Sequence, residues 1–570
     1  MRKKHIALTG SALIALGSLA SAPAHAAATD DTAPTDQAAV SSYLKNDTAA
    51  IQGAAGDSYQ LVRTTTSKDG AQHARYHRTF QGLPVIGGDF VVHSKSGKVL
   101  GQSVAQQAPI AVSTTATVAG ATARTTAAGS SRSYDVNGAT TPMLVVDAQG
   151  AKPALAWMTV VTGVQADGIT PSHKAVLVDA HSGKTIRSTE MVTSLMSATT
   201  SKAAMARKGI HTSATLTTTA PSTLRTVSWA SVGTPGAAKS AAKPTKGVAA
   251  EGTGKSIFLG DVTLSTTESD GTFSMTDLNH GGNTACDMNN SESGSCEVFT
   301  DEDNAWGDGT NNDRASAAVD VYAGAASTWD YYKDAFGRNG IFDDGKGVPS
   351  RVHYGSGYVN AFWDGSQMTY GDGQGDNAPL VAIDVAGHEM SHGVSEALAD
   401  LGYSGDVGGI NEANSDVFGT MVEFKENSAV DKPDFLIGEE IDINGDGTPL
   451  RYMDEPSKDG ASQDCWTSAG QNEDPHYTSG VGNHAFFLLA NGSGESEFGN
   501  SPTCDNSTVT GIGRDKAAAI WYNAIKDYGT SNMSYADLRA GMIKASDTLY
   551  GADSTESKTV AAAWTAVSVS

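Results

Sequence analysis

The pentapeptide His388-Glu389-Met390-Ser391-His392 restricts this chain more than any other stretch. Two histidines four positions apart meet on one side only if the backbone is helical, and there both imidazoles can hold one metal ion. The glutamate between them falls on a neighbouring face, placed to act on water beside that ion. A catalytic zinc takes three protein ligands and keeps one position open, so the fold must bring a third ligand from elsewhere.

Downstream lies Gly409-Ile-Asn-Glu-Ala-Asn-Ser-Asp416, where Ile410, Ala413, Val417 and Met421 recur at helical spacing. This second segment is expected to be an amphipathic helix, with Glu412, Asp416 and Glu423 on a common acidic stripe. The stripe would face Asp384, His388 and His392, which fall at i, i+4 and i+8 of the first helix. Glu412 is then the expected third ligand, and Asp416 the acceptor for the second ring N–H of a ligating histidine. Away from the histidines, Ala386, Met390, Val394 and Leu398 form a stripe expected to be core.

Four landmarks make the chain recognisable: Tyr358-Val-Asn-Ala-Phe-Trp-Asp-Gly-Ser-Gln-Met-Thr-Tyr-Gly-Asp-Gly373, the HEMSH motif, GGINEANSD, and Phe418-Gly-Thr-Met-Val-Glu-Phe424. From about Val319 to the C-terminus the sequence resembles the thermolysin-like neutral zinc metalloproteases, the secreted preproenzymes of the thermolysin/bacillolysin family. The separation of His392 from Glu412 fits this group. It is one residue longer than in the aminopeptidase branch, and no Gly-Ala-Met-Glu-Asn-like segment occurs. The resemblance implies an α+β fold: a thermolysin-like zincin catalytic unit with a β-rich N-terminal lobe and a mainly α-helical C-terminal lobe, preceded by an α+β propeptide.

The resemblance also implies site residues. Tyr403 and His476 match the two donors to the oxyanion of the tetrahedral intermediate, and Arg451 the arginine that holds a substrate carbonyl. Asn360 and Ala361 match residues that grip the substrate backbone. Val385, Leu450 and Arg451 match the pocket for the residue after the cut bond. His484 lies in an apolar helical run, matches no such position and is expected to be structural. The implied reaction is peptide hydrolysis with one catalytic zinc held by His388, His392 and Glu412, Glu389 as general base, and Leu, Phe, Ile or Val after the cut. The alternatives are an exopeptidase on the same scaffold and an inactive zinc-binding protein. The Asn360-Ala361 strand edge suits a through-running peptide, and a mere binder has no need of Glu389, Tyr403 and His476 together.

A net charge of −24 argues against nucleic-acid and anionic-membrane partners. The expected partners are protein and peptide substrates and the chain's own propeptide acting as inhibitor; a monomer is expected. Asp384, Glu423, Asp434 and Glu439 match a calcium site of the resembled family, and oxygen ligands of this kind suit that ion. Leu436 stands where double-calcium members carry another acid, so at least one calcium is expected, and one rather than two. Asp442-Ile-Asn-Gly-Asp-Gly resembles the front of an EF-hand loop, but Met453 occupies the twelfth position, so an ordinary turn is expected. The four cysteines are even in number and allow three pairings; proximity in sequence favours Cys286–Cys296 and Cys465–Cys504.

Arg2-Lys3-Lys4, an apolar run from Ile6 to about Leu19, and Ala24-His-Ala26 read as an export signal over 1–26, which implies a secreted, extracellular product. Residues 27–190 alternate like strands at 75–93, 143–147 and 175–185 and resemble the family's propeptide, with His73, His77 and His93 expected at the surface. Residues 191–252 are Ala/Thr/Ser/Lys-rich with few large apolar side chains and read as a linker containing the processing region. A β-rich lobe over 253–376, with a helix near 315–336, precedes a helical lobe over 377–570 with helices at 479–489, 515–527 and 535–550. The cleft is expected at the seam between them.

Overall fold

The structure is a computed structural model that describes residues 35–131, 135–207, 225–227 and 247–570. The proposed export signal lies outside these residues, as does most of the stretch between 208 and 246.

The N-terminal unit has two antiparallel halves. In the first, Asp57–Thr66 pairs with Gln72–Phe80, which pairs with Phe90–Lys95 and through it with Lys98–Val104. Helix Asp36–Asn46 is capped by the Thr35 hydroxyl and packs its Val40 into the small core under these strands. In the second, Met143–Asp147, Ala154–Val164, Pro171–Asp179 and Thr185–Glu190 follow one another across the sheet, covered by helix Gly120–Ser130. A parallel pairing of Leu83–Ile86 with Met143–Asp147 joins the halves.

Beyond Gly247 the chain opens with the hairpin Val248–Lys255/Asp261–Ser269, so the β-rich part begins a few residues before the position expected from sequence. A second sheet sets Asn283–Ser291 parallel to Pro349–Tyr354 and continues into Met368–Tyr370 and its antiparallel neighbour Ala361–Trp363. Between them runs helix Arg314–Phe336, started by the Asp313 carboxylate on Ala315 N and closed by Gly337 at φ 72°. Six longer helices follow: Ile383–Ala399, Gly405–Glu426, Gly480–Asn491, Arg514–Tyr528, Tyr535–Tyr550 and Thr555–Ala566. One continuous apolar core unites the sheets and these helices. Both disulfides are those favoured by proximity, with Cα–Cα separations of 5.4 and 6.2 Å.

Two sequence-based expectations need correction. Residues 191–207 are not a free linker: Thr193–Ser194 forms a strand against Ala361–Trp363, and helix Ala198–Arg207 follows. Val192, Leu195, Met196, Ala204 and Met205 are buried in the core of the C-terminal unit. They are too few for a core of their own, but a surface elsewhere in the chain complements them. His73 and His93 are buried and not surface residues, because their strand face is covered by Tyr528 and its neighbours; only His77 is exposed. As expected, the HEMSH helix is enclosed on both its apolar and its histidine-bearing sides. Every residue from Ile383 to Ser395 is buried, polar ones included, so its polar side is internal chemistry and not solvated surface.

The N-terminal unit also touches this helix directly. Arg63 donates from Nη1 to Ala397 O at 2.5 Å and from Nη2 to Leu398 O, reaching carbonyls of the helix's last turn. Arg75 donates to Gly529 O at 2.6 Å, and Asp89 accepts from Ser531 N at 3.1 Å and from the Ser531 hydroxyl.

Candidate active site

The HEMSH helix and helix Gly405–Glu426 approach so closely that a Cβ on Gly387 would lie 2.9 Å from Gly419 Cα. Glycine in a helix interior costs roughly 1 kcal/mol relative to alanine, and here it lets two backbones meet. That approach brings Glu412 up to the histidines. His388 Nε2 and His392 Nε2 lie 3.0 Å apart, and each is 3.5 Å from an oxygen of Glu412. All three side chains are buried, and their ligating atoms fall within 4.8 Å of one another.

Whether a cation fits is decided by the outer ring nitrogens. His388 Nδ1–H donates to Asp416 Oδ1 at 2.9 Å, and His392 Nδ1–H donates to Asn411 Oδ1 at 3.0 Å. The Asn411 amide is oriented by its Nδ2–H donating to Leu401 O and by the Ser395 hydroxyl donating to Oδ1, so its oxygen faces the ring. Both Nε2 atoms are therefore bare lone pairs pointing at each other beside Glu412 Oε2, which accepts no hydrogen bond. No placement of protons satisfies this arrangement with the rings neutral. A cation between them does, and two imidazoles with one carboxylate suit zinc. Burial, then His388, holds the His392 pKa well below its ordinary value, which keeps the ring in its ligating form.

The remaining expected residues surround this point. Glu389 is fully buried; its pKa is pushed well up by burial and then by Glu412, with Arg451 opposing. Tyr403 OH donates to Glu412 Oε1 and lies 3.3 Å from His476 Nε2. His476 is started on its short helix by Asp474, which accepts both its backbone N–H at 3.1 Å and its Nδ1–H at 2.5 Å. Burial disfavours the charged ring, but Glu412 and Asp474 outweigh it and raise the pKa to about 9. Asp474 is thus the orienting acid of His476. Arg451 forks onto Asp416 through Nε at 2.9 Å and Nη2 at 2.6 Å, and Asn483 Nδ2 donates to the same carboxylate. Burial alone would raise the Asp416 pKa; Arg451 and His388 instead hold it below the usual carboxylate range. Val385 is buried, and Leu450 packs against the same core. His484 Nδ1–H donates to Asp464 O at 2.8 Å and its Nε2 pairs with the Ser501 hydroxyl at 3.1 Å, as in a structural residue.

A second cluster lies at the far ends of the same two helices. Glu423, Asp431 and Glu439 converge within 4.8 Å. Both oxygens of Glu423 and Glu439, Asp431 Oδ2 and Asp384 Oδ1 are buried and accept no hydrogen bond. Burial first, and neighbouring carboxylates second, push Glu423, Glu439 and Asp431 up. Two of the four residues expected here stand outside the tight group. Asp384 Oδ2 is occupied by Gly438 N at 2.7 Å, and Asp434 Oδ1 by Leu436 N at 2.6 Å. Asp431, which sits in a loop without periodicity, completes the tight group, and Asp384 keeps Oδ1 free of hydrogen bonds beside it. The Asp442 loop is a turn, its carboxylate accepting Asp446 N and Gly447 N.

Sequence comparison agrees with this geometry. The profile described as "Thermolysin metallopeptidase, catalytic domain" matches residues 251–396, and "Thermolysin metallopeptidase, alpha-helical domain" matches 399–569. The chain belongs to the thermolysin family. A "Fungalysin/Thermolysin Propeptide Motif" matches residues 57–102, the four strands of the first N-terminal half. Among thermolysin-family relatives, the "Transglutaminase-activating metalloprotease" of Streptomyces mobaraensis is 43% identical over 513 residues, 88% of this chain and 60% of the relative. Bacillolysin of Bacillus cereus is 40% identical over 339 residues, 58% of this chain and 57% of the relative. This chain therefore spans about three fifths of the length of these two proteins. The solved precursor of protealysin from Serratia proteamaculans is 30% identical, with a TM-score of 0.39 over 50% of this chain and 87% of that one.

Sequence reasoning missed Asn411, Asp431 and the segment around Leu195. Asn411 directly precedes Glu412, and the general rule that a ligating histidine needs an acceptor on its other nitrogen was the available signal.

Proposed function

We propose that this chain is the precursor of a secreted, zinc-dependent endopeptidase that cuts on the amino side of bulky apolar residues. The observation that carries the reading is the pair of bare imidazole nitrogens beside Glu412, with an extended peptide segment crossing directly in front of them. His388, His392 and Glu412 would hold the metal. When bound, zinc supplies an acidified water and polarises the scissile carbonyl.

The chain's own groups do the rest. Glu389, as the carboxylate, takes a proton from water and delivers it to the leaving nitrogen. Tyr403 and charged His476 donate to the oxygen on which negative charge grows, each good donor contributing about 3–4 kcal/mol. Asp416 fixes the tautomer of His388 and holds the Arg451 fork, whose remaining Nη1 points at a substrate carbonyl. Asn360 and Ala361 bind the backbone, and Val385 and Leu450 line the pocket after the cut. A chain that continues on both sides of the site favours an endopeptidase over an exopeptidase.

Glu423, Asp431, Glu439 and Asp384 would hold structural calcium, since crowded carboxylates without hydrogen bonds repel one another unless a cation intervenes. Residues 27–190 act as inhibitor and folding partner of the unit that follows. The reading of 1–26 as an export signal supports secretion, and no helix among the described residues is long and apolar enough to cross a membrane. Hydrolysis of casein that phenanthroline abolishes and zinc restores tests the reading. Sequencing the new N-termini in an unstructured substrate tests the preference: a majority beginning with charged residues would refute it.

A further inference from the structure

The segment Val192-Thr-Ser-Leu-Met-Ser197 lies in the cleft in the manner of a substrate. Thr193 and Ser194 pair antiparallel with Trp363 and Phe362. Leu195 N donates to Ala361 O at 3.0 Å, and Met196 N donates to Asn360 Oδ1 at 3.2 Å. Asn360 Nδ2 returns a bond to Met196 O at 2.9 Å. Two carbonyls face the site. Ser194 O accepts from His476 Nε2 at 2.7 Å, and Leu195 O accepts from Arg451 Nη1 at 2.7 Å.

This register singles out one bond. The carbonyl on the oxyanion side belongs to Ser194, and the one on the arginine belongs to the next residue. The bond poised for attack is therefore Ser194–Leu195. The residue after it is a leucine with 0% exposure, in the core cluster that holds Val385. A plug meant only to block has no need of this register, or of a favoured residue in the pocket after the cut. No proline or acidic residue interrupts Val192–Ser197 to prevent it from acting as substrate.

We propose that Ser194–Leu195 is a bond this enzyme cuts in its own chain, from within its own cleft. This rests on the peptidase reading above. Water's oxygen bonds to the Ser194 carbonyl carbon and the C–N bond to Leu195 breaks. Both water protons pass in turn by way of Glu389 to the Leu195 nitrogen, leaving a carboxylate at Ser194 and an ammonium at Leu195. The cut does not by itself clear the cleft. Leu195 remains covalently continuous with the catalytic unit through residues 208–246. Helix Ala198–Arg207 stays anchored through buried Met205, the Gln374 side chain on Ala204 O and Thr200 beside Tyr477 OH. The new N-terminus is thus a tethered product on the leaving side, and full activity requires a second cut beyond it.

The test uses the full-length precursor prepared without metal. On addition of zinc, intact mass and N-terminal sequencing should find Leu-Met-Ser-Ala as the first new terminus, at a rate unchanged by about hundredfold dilution. Leu195→Asp should slow this cut at least about tenfold, and Leu195→Phe should retain it with phenylalanine at the new terminus, which guards against a folding defect. In the metal-free Glu389→Gln precursor the Leu195 and Met196 amides should be strongly protected from hydrogen exchange. A first cut at another bond, a rate proportional to concentration, or unprotected amides at 195 and 196 would overturn the proposal while leaving the peptidase reading intact, provided the matured enzyme digests casein. Neither self-cleavage nor casein digestion would sink both.

Discussion

Two buried pairs of histidines in this molecule look alike and behave differently. His388 and His392 bring Nε2 atoms to 3.0 Å; His73 and His93 bring Nδ1 atoms to 2.8 Å. The difference lies in what holds the other nitrogen. In the first pair both outer N–H groups face pure acceptors, the Asp416 carboxylate and the Asn411 carbonyl oxygen, so both inner nitrogens are bare. In the second pair the outer partners are hydroxyls, Ser67 and Ser103, which give or take as needed. Ser67 donates onward to Asp69 and so accepts from His73; Ser103 can donate to His93; the proton on His93 Nδ1 then bonds His73 Nδ1. Such a pair is complete without a metal. Geometry between two imidazoles therefore says little until their far sides are known.

The largest effect that tests this contrast is at Glu389, which belongs to the chemistry of the first pair and not to its ligand set. Glu389→Gln should lower peptide hydrolysis about a thousandfold or more while zinc content, by atomic absorption, is unchanged. Loss of the metal together with activity would mean that Glu389 helps hold the cation. Next in size is the carboxylate cluster, where Glu423 and Glu439 accept no hydrogen bond at either oxygen. Treatment with a calcium-selective chelator should strip the proposed ion, cost several kcal/mol and lower the melting temperature, with calcium alone restoring it. An unchanged melting curve would leave those acids without a cation to explain them.

A smaller effect is expected from changing the far side of the first pair. Asp416→Asn offers His388 an amide that can donate as well as accept and disrupts the Arg451 fork, so zinc affinity should fall about 10–100-fold in competition with a chelator. Asn411→Asp keeps the acceptor and should lose far less. Equal losses in both variants would remove the tautomer argument.

The smallest effect concerns the second pair and pH. The pKa values of His73 and His93 are both held below 6.5, mainly by burial. At His73, Asp527 opposes this and Lys526 adds to it; at His93 the neighbouring ring, Lys544 and Arg75 add to it. A depressed histidine contributes fully above its unfolded value and loses that contribution as pH falls from 6.5 towards the folded value. Each unit of depression corresponds to about 1.4 kcal/mol. Unfolding of the Glu389→Gln precursor, followed from about pH 8 to about pH 5, should show this loss. His93→Gln should flatten the slope, and an unaltered slope would place the titrating groups elsewhere.

The parts of the site that could be read in sequence are those encoded by spacing. His388, His392 and Glu389 follow from a helical period. Glu412 and Asp416 follow from a second period that must face the first. The two lobes and most helices are similarly periodic, and Tyr535–Tyr550 begins and ends where its pattern does. What could not be read depends on surfaces brought from afar. The apolar residues of 191–207 are too sparse to signal burial, because the cleft that receives them is built from residues more than 150 positions downstream. His73 and His93 sit opposite each other on two paired strands whose faces are both covered, one by their own unit and one by the catalytic lobe, so alternation did not mark them. Asp431 occupies a loop, where no period exists.

Arg63 carries a consequence of its own. The closing turn of the helix that bears His388 and His392 is finished by a guanidinium from the N-terminal unit. Removal of that unit, as proposed above, would leave the carbonyls of Ala397 and Leu398 to solvent. The precursor would then be the better-knit form of the catalytic machinery, and maturation would trade some of that order for access.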